Sequence, residues 1–323
     1  MTTTTTTRPA GSRAKATVAA YARLAKLDII DYYLSAALAW TLLPVAARVN
    51  GRALATLLLF LVAEVFLVAA MVALDDITGY RDGSDAANYG PDAPARRLAR
   101  KPLLAGTLTP AQAALFAWTT AGAGALCWLA AMLVAPHHPR WVLITGAAYL
   151  VLSVQYSWGL KLSYRGGQEL YLAGLGVVLV LLPYGLVTGQ AGGFVALQAV
   201  LFGLGPLLFG VYSNTNDVAG DRLAGRVVAA TVLSPRGNAA FILVVTLAET
   251  GLIVGGAAGG LAPWWFPVAL LPVIAARGKQ LWAGLYRGDI LRARRTGIRA
   301  SRATAVTLMA VNLIIPVVAK GAL

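Results

Sequence analysis

The chain has one cysteine and two histidines among its 323 residues. Cys127 alone can form no intrachain disulfide and no Cys-based metal site, and it reads as a small packing residue inside an apolar run. His137 and His138 are adjacent in a predicted external turn, a poor geometry for clamping one metal. Charge is also scarce: Asp, Glu, Lys and Arg together make up 12% of the chain, roughly half the share of an ordinary soluble domain. Of the charged residues only 13 are acidic, against 27 basic. The first sixteen residues, MTTTTTTRPAGSRAKA, contain no apolar stretch placed as a signal peptide requires. Residues 1–20 are read as a disordered cytoplasmic tail.

Hydrophobic residues make up 58% of the total, which is more than one soluble core of this size needs. Runs long enough to cross ~30 Å of hydrocarbon lie near 32–47, 53–74, 111–134, 141–157, 168–189, 194–213, 239–258, 261–276 and 302–319. They predict an all-α, polytopic membrane protein with nine transmembrane helices. Pro44, Pro183, Pro206, Pro267, Pro272 and Pro316 fall inside these runs, as membrane helices tolerate. A β-barrel is disfavoured because the runs are continuously apolar instead of alternating. With the N-terminus cytoplasmic, 23 of the 27 Lys and Arg residues fall on the inner side; only Arg48, Arg52, Arg140 and Lys320 do not. That asymmetry is what the positive-inside rule demands.

The net charge of +14 is accounted for by topology and by anionic lipid, so no nucleic-acid partner is inferred. The same holds for the basic run RGDILRARRTGIRASR at 287–302. No linker separates folded units, and residues 21–323 are read as one membrane domain. The predicted inner loops at 75–110, 158–167, 214–238 and 277–301 are the longest and carry nearly all the polar chemistry. The functional site is therefore expected on the cytoplasmic face of the cell membrane.

Two of those loops share a plan. ALDDITGYRDGSD follows the second apolar run and NTNDVAGDRLAGR the sixth, each placing aspartates at a helix end with Arg just beyond. The parallel hints at a duplicated four-helix unit. Asp217 and Asp221 are four residues apart, so on a helix their carboxylates share one face, roughly 5–6 Å apart at Cβ. Such a pair repels, and near a bilayer it also carries a desolvation cost of up to ~2.5–3.5 kcal/mol per Asp at mid-membrane. Cations or water must relieve it. Asp75, Asp76, Asp82 and Asp85 form the other nest, with Tyr80 and Arg81 between them. Mg²⁺ takes one or two carboxylates, keeps waters and bridges to phosphate oxygens, so two facing nests would hold Mg²⁺ around a diphosphate. The simpler reading is that these are solvated helix ends paired with Arg81, Arg222 and Arg226. Six of the 13 acidic residues crowd into the two segments, which favours a site.

These segments resemble the UbiA superfamily of intramembrane prenyltransferases, whose aspartate-rich motifs end helices two and six of a nine-helix bundle. DDITGYRDGSD is most similar to the branch that prenylates dihydroxynaphthoate, with its Asn-Asp-x-x-Asp-Tyr-Lys-x-Gly-x-Asp pattern. NDVAGDRLAGR resembles the second motif, and RKPLLAGTLTP and YSWGLKLSYRGGQEL resemble two further family segments. The resemblance implies that Asp76, Asp85, Asp217 and Asp221 hold Mg²⁺ against an isoprenyl diphosphate, with Asp75 and Asp82 as further candidate ligands. It implies that Lys161, Lys101, Arg222, Arg81 and Arg226 contact the phosphates, and that Asp76, Asp217, Asp221 and Lys161 carry the catalysis. Two positions depart from the pattern: Asp75 stands where the family has Asn, and Gly79 where it has Asp.

The activity expected is Mg²⁺-dependent transfer of an isoprenyl group to a small aromatic or hydroxylated acceptor. Tyr156, Tyr164 and Tyr212 are candidates to face the allylic cation, since a desolvated aromatic face stabilises a cation by up to ~2 kcal/mol. Asn214 and Asp31 are candidate substrate contacts, although a solvated helix start is the simpler reading of Asp28 and Asp31. Glu64 and Glu249 fall inside apolar runs and are read as protonated or internally hydrogen-bonded. A terpene cyclase acting on the diphosphate alone is the alternative. A transporter ranks lower, because the polar residues gather at one face and not at the bilayer midplane.

Overall fold

The computed structural model describes residues 10–89 and 98–321, with side chains at 15–89 and 98–315. Its main helices are α1 (Ala10–Leu24), α2 (Leu34–Leu42), α3 (Gly51–Arg81), α4 (Pro110–Val134), α5 (Arg140–Gln155), α6 (Gln168–Thr188), α7 (Gly193–Leu223), α8 (Pro235–Ala258), α9 (Leu271–Leu281) and α10 (Ile290–Gly321). Among the described residues the one β feature is an isolated bridge between Arg165 and Val227.

Several helix ends follow directly from their sequence. Asn50 caps α3 by accepting the Ala53 amide, and Ser234 caps α8 by accepting the Gly237 amide. Thr109 and Gln112 form a capping box at α4, with Pro110 in the first turn where its missing N–H costs nothing. Gly189 ends α6 at φ 82°, a left-handed conformation that suits glycine.

Six helices, α3, α4, α6, α7, α8 and Ile290–Ile315 of α10, are long and apolar enough to cross a membrane. The other three expected spans are shorter. The run at 32–47 is interrupted where Leu43 turns extended (ψ 149°) ahead of Pro44, as a residue before proline prefers; it yields the nine-residue α2 and a short turn at Val45–Arg48. The run at 141–157 gives the 16-residue α5. The run at 261–276 is divided into Phe266–Ala269 and the start of α9. The expected disordered tail also needs correction: Ala10–Leu24 is helical, in an alanine-rich segment of high helix propensity whose Ala20 and Leu24 are buried against α3 and α4 residues. Residues 1–9 of that tail lie outside the described residues.

α3 packs along α4, and α7 lies between α6 and α10. The α6–α7 crossing is close: a Cβ on Gly176 would stand 2.6 Å from the Gly203 Cα. Without glycine the backbones could not approach so far, the usual device at membrane helix interfaces. Leu58, Leu115, Leu126, Leu133, Ile144 and Leu170 point outward and are exposed, as suits a lipid-facing surface. Two glutamates are buried inside the bundle. Glu249 accepts both Nε and Nη2 of Arg277 at 2.7 and 2.9 Å, the internally hydrogen-bonded form of the two expected, here as an ion pair. Glu64 accepts the Ser35 hydroxyl at 2.7 Å.

Candidate active site

The ends of α3 and α7 line one cavity, which brings the two aspartate segments together. Beyond α3, Gly83 at φ 80° turns the chain into a short helix, Ser84–Asn88. That helix seats against α7 where Gly220 has no side chain; a Cβ there would meet the Asn88 amide at 2.3 Å. A second tie runs behind: the Val227 amide donates to the Tyr164 carbonyl at 2.9 Å, joining the loop before α6 to the loop after α7.

The space enclosed is a cavity of about 270 Å³. Asp75 and Asp85 line it from the α3 side, Asn214, Asp217 and Asp221 from α7, and Tyr156, Lys101 and Arg226 from the connecting segments. Residues 214, 217 and 221 fall within about two turns on one helical face. Asp76, 1% exposed, stands behind Lys101, whose Nζ lies 2.8 Å from Asp76 Oδ1 and 2.7 Å from Asp85 Oδ1. Lys26 Nζ adds a second cation 3.0 Å from the same Asp76 oxygen. Burial alone would depress the Lys101 ammonium, but Asp76 and Asp85 outweigh it and hold its pKa well above the ordinary lysine value.

Arg226 links the two aspartate segments. Its Nη2 donates to Asp75 Oδ1 at 3.1 Å and to the Tyr164 hydroxyl at 2.9 Å, and its Nε stands 3.8 Å from Asp221 Oδ1. The guanidinium also lies 4.2 Å from the Tyr164 ring centre. Burial opposes its charge, yet Asp75 and Tyr164 raise its pKa above the ordinary arginine value. Asp75 further accepts the Ser157 hydroxyl at 2.8 Å. Gly79 leaves room for a neighbour: the Asp85 carboxyl carbon lies 2.9 Å from where a Cβ at 79 would be.

Seven other candidates, Tyr164 among them, do not line this cavity. Arg81, Asp82 and Lys161 line a neighbouring cavity of about 400 Å³, on the far side of Tyr164, whose hydroxyl donates to Asp82 Oδ2 at 2.5 Å. There the Arg81 guanidinium faces the Trp158 ring and the Lys161 ammonium the Tyr164 ring. Arg222 is exposed and does not line the cavity. Tyr212 is fully buried in a separate core cluster with Ala283 and Ala293. Asp31 accepts two hydrogen bonds from Arg302, at 3.0 and 3.1 Å. Conversely Lys26, Gln168 and Arg294 line the cavity without having been singled out as candidates. Arg294 belongs to the basic run read as a lipid-facing anchor, and Gln168 to a quoted family segment. Lys26 adopts φ 49°, which residue type does not announce.

Among the described residues no three carboxylate, His or Cys side chains converge closely enough to hold a metal by themselves. The cavity is instead a set of carboxylates braced by cations, open to an anion that brings its own counter-charge.

Residues 33–317 match the UbiA prenyltransferase family. The chain belongs to that family. No curated protein sequence matches the chain. Solved structures that resemble it include a UbiA homologue from Aeropyrum pernix in its apo form, 17% identical over 88% of this chain and 98% of that one, with a TM-score of 0.64. A UbiA homologue from Archaeoglobus fulgidus bound to DMAPP and Mg²⁺ is 15% identical over 90% and 98%, with a TM-score of 0.64. A digeranylgeranylglyceryl phosphate synthase is 12% identical over 92% and 99%, with a TM-score of 0.63. At these identities the likeness is one of fold. UbiA family membership and the six apolar helices make the chain an integral membrane protein.

Proposed function

We propose that the chain is an intramembrane prenyltransferase that moves an isoprenyl group from its diphosphate to a small aromatic or hydroxylated acceptor, with the reaction at the cavity between α3 and α7. One observation carries this reading: two aspartate-bearing helix ends meet around one cavity, linked by Arg226, while Lys101 pairs with Asp76 and Asp85 on the α3 side. We further propose nine membrane-crossing segments, read from the apolar runs, with the N-terminus and the aspartate ends cytoplasmic, a reading supported by the distribution of basic residues. The branch acting on dihydroxynaphthoate remains our closest motif comparison.

The donor set fits Mg²⁺ arriving with a diphosphate. Such ions take only one or two protein carboxylates beside phosphate oxygens, so a three-carboxylate cage is not needed. Asp76 Oδ2 is buried with no partner, and Asp217, Asp221 and Asp85 line the cavity; these four would hold the metal. When bound, Mg²⁺ supplies charge stabilisation for the departing diphosphate.

The chain's own residues supply the rest. Lys101, Lys26 and Arg226 balance the phosphate charge as the allylic C–O bond breaks. Tyr156, with the Tyr171 ring 4.9 Å away, offers an aromatic face to the resulting allylic cation. A separate apolar crevice of about 40 Å³, lined by Phe60, Met71, Trp128, Leu175 and Leu179 among α3–α6, marks the apolar side on which the hydrocarbon chain would be shielded from water. The acceptor's electron pair then forms the new bond to that cation, and its proton passes to the released diphosphate or to water. Lys161 and Arg81, in the neighbouring cavity, are not assigned to the phosphates.

The test is to incubate the full chain in lipid nanodiscs with geranyl diphosphate, Mg²⁺ and a panel of phenols and naphthols. EDTA-sensitive prenylated product is expected, and Asp221→Ala should lower it by at least about 10²-fold, the scale of removing one electrostatic stabiliser. A cyclic hydrocarbon formed from the diphosphate alone would replace this reading with cyclisation.

A further inference from the structure

One group on the cavity wall does not suit a phosphate. Glu169, in the first turn of α6 where a carboxylate is favoured by the helix dipole, accepts the backbone N–H of Ala229 at 3.0 Å and Nδ2 of Asn214 at 3.3 Å. An ionised carboxylate can only accept, so Asn214 is held with its amide nitrogen toward Glu169 and its oxygen toward Gln168. Gln168 Nε2 donates to that oxygen at 2.9 Å. The relay therefore has a fixed direction, and it leaves the Gln168 carbonyl at its free end. Gln168 lines the cavity, is 8% exposed, and its Oε1 is buried without a partner.

A buried acceptor left without a donor is destabilising. Phosphate oxygens of the donor cannot relieve it, since acceptor would face acceptor. The partner that fits carries an O–H or N–H. The cavity thus shows two chemistries: cations at Lys26, Lys101 and Arg226 for an anion, and one oriented carbonyl for a hydrogen-bond donor.

We propose that Gln168 recognises the prenyl acceptor, its Oε1 taking a hydrogen bond from a hydroxyl group on that molecule, with Asn214 and Glu169 as positioning residues that fix the direction of the amide. The inference rests on the prenyl-transfer reading and sharpens it, because it makes a free hydroxyl a requirement of the second substrate. Asn214, expected to contact substrate itself, has both ends of its amide engaged and acts through Gln168. A site that hydrogen-bonds a hydroxyl rejects the analogue lacking it more strongly than an apolar pocket can.

The test uses three matched pairs as probes: phenol and anisole, 1-naphthol and 1-methoxynaphthalene, 4-hydroxybenzoate and 4-methoxybenzoate. Binding is read from the shift in thermal unfolding of the full chain in nanodiscs, and turnover from prenyl transfer with geranyl diphosphate and Mg²⁺. In the unmodified protein at least one hydroxyl compound is expected to bind about tenfold or more tightly than its ether, a difference of about 1.4 kcal/mol. Gln168→Met, which keeps length and packing, should erase that preference and raise the acceptor KM about tenfold while leaving the KM for geranyl diphosphate within about twofold. Gln168→Leu serves as a second variant should the first not fold. Glu169→Gln, which can donate as well as accept, frees the relay to reverse and should reduce the hydroxyl preference without abolishing binding.

No preference for any hydroxyl compound in the unmodified protein overturns the assignment. So does a preference that survives Gln168→Met, which would leave Oε1 to an ordered water. Hydroxyl-selective binding that depends on Gln168 without any prenylated product would count against the prenyl-transfer reading and leave the binding assignment standing.

Discussion

Replacing Lys101 by Met removes one ammonium while keeping most of its packing volume. In the structure that ammonium sits 2.8 Å from Asp76 and 2.7 Å from Asp85, so the variant leaves two carboxylates in a largely buried place. Removing one partner of a buried ion pair costs about 3–5 kcal/mol. Lys26 remains 3.0 Å from Asp76 and relieves part of this, so the expected loss is near the lower end, about 3 kcal/mol. The assay is thermal unfolding in a fixed detergent with EDTA, repeated in excess Mg²⁺. In Mg²⁺ the deficit should shrink, because the freed carboxylates then bind the ion and ligand binding stabilises the folded state. In an Asp76→Asn, Asp85→Asn background the same substitution should cost under about 1 kcal/mol, since the charges it served are gone. The pH dependence has a definite sign. A lysine whose folded pKa is raised contributes stability that is fully present below its unfolded value, about 10.5, and is lost as pH rises through the folded value. The Lys101→Met variant should therefore lack part of the alkaline destabilisation seen in the unmodified protein. An undiminished cost in the doubly neutralised background, or no cost at all in the unmodified one, refutes the charge-bridge account.

Three other outcomes follow from the geometry. Arg226→Ala should lower kcat/KM for prenyl transfer by about 10²–10³-fold, whereas Lys161→Ala, in the neighbouring cavity, should lower it by less than about tenfold; steady-state kinetics in nanodiscs compares them. Arg277→Met should destabilise the bundle by about 3–5 kcal/mol because it strands Glu249, while adding Glu249→Leu should recover much of that loss, measured by thermal unfolding. Gly79→Asp should cost about 1–3 kcal/mol by overpacking, because its Cβ would press on Asp85, and should weaken Mn²⁺ binding followed by electron paramagnetic resonance.

The six long helices were legible because uninterrupted apolar runs of this length have few other physical solutions, whereas the runs at 32–47 and 261–276 are broken into shorter helices. The aspartate face of α7 was legible too: residues 214, 217 and 221 recur at helical spacing, and all three line the cavity. The same arithmetic argues against Tyr212, since nine residues from Asp221 is two and a half turns and therefore the opposite face. Chain reversals were not legible. Lys161 takes φ 50°, a left-handed conformation that residue type favours for Gly, Asn or Asp and not for lysine, and its side chain lines the neighbouring cavity. Gln168 was hidden for another reason. A glutamine opening a helix carries no signal until the partner of its amide is known, and that partner is Asn214 of α7, itself held by Glu169.

The two departures from the family's first motif make sense together. A carboxylate at position 79 would collide with Asp85, which fills that space, while the additional carboxylate at 75 lies where Arg226 neutralises it. The acid is thus moved along the helix by about one turn instead of being lost. Around the cavity, Lys26, Arg100, Lys101, Arg226 and Arg294 face Asp75, Asp85, Asp217 and Asp221 on the wall and Asp76 behind Lys101, so the fixed charges are evenly matched, with Arg100 also paired to Asp28. A multiply charged diphosphate entering such a balanced site would meet little net attraction. The charge it needs must come with it, which is why the same arrangement that lacks a three-carboxylate metal cage still calls for a divalent ion as part of the substrate.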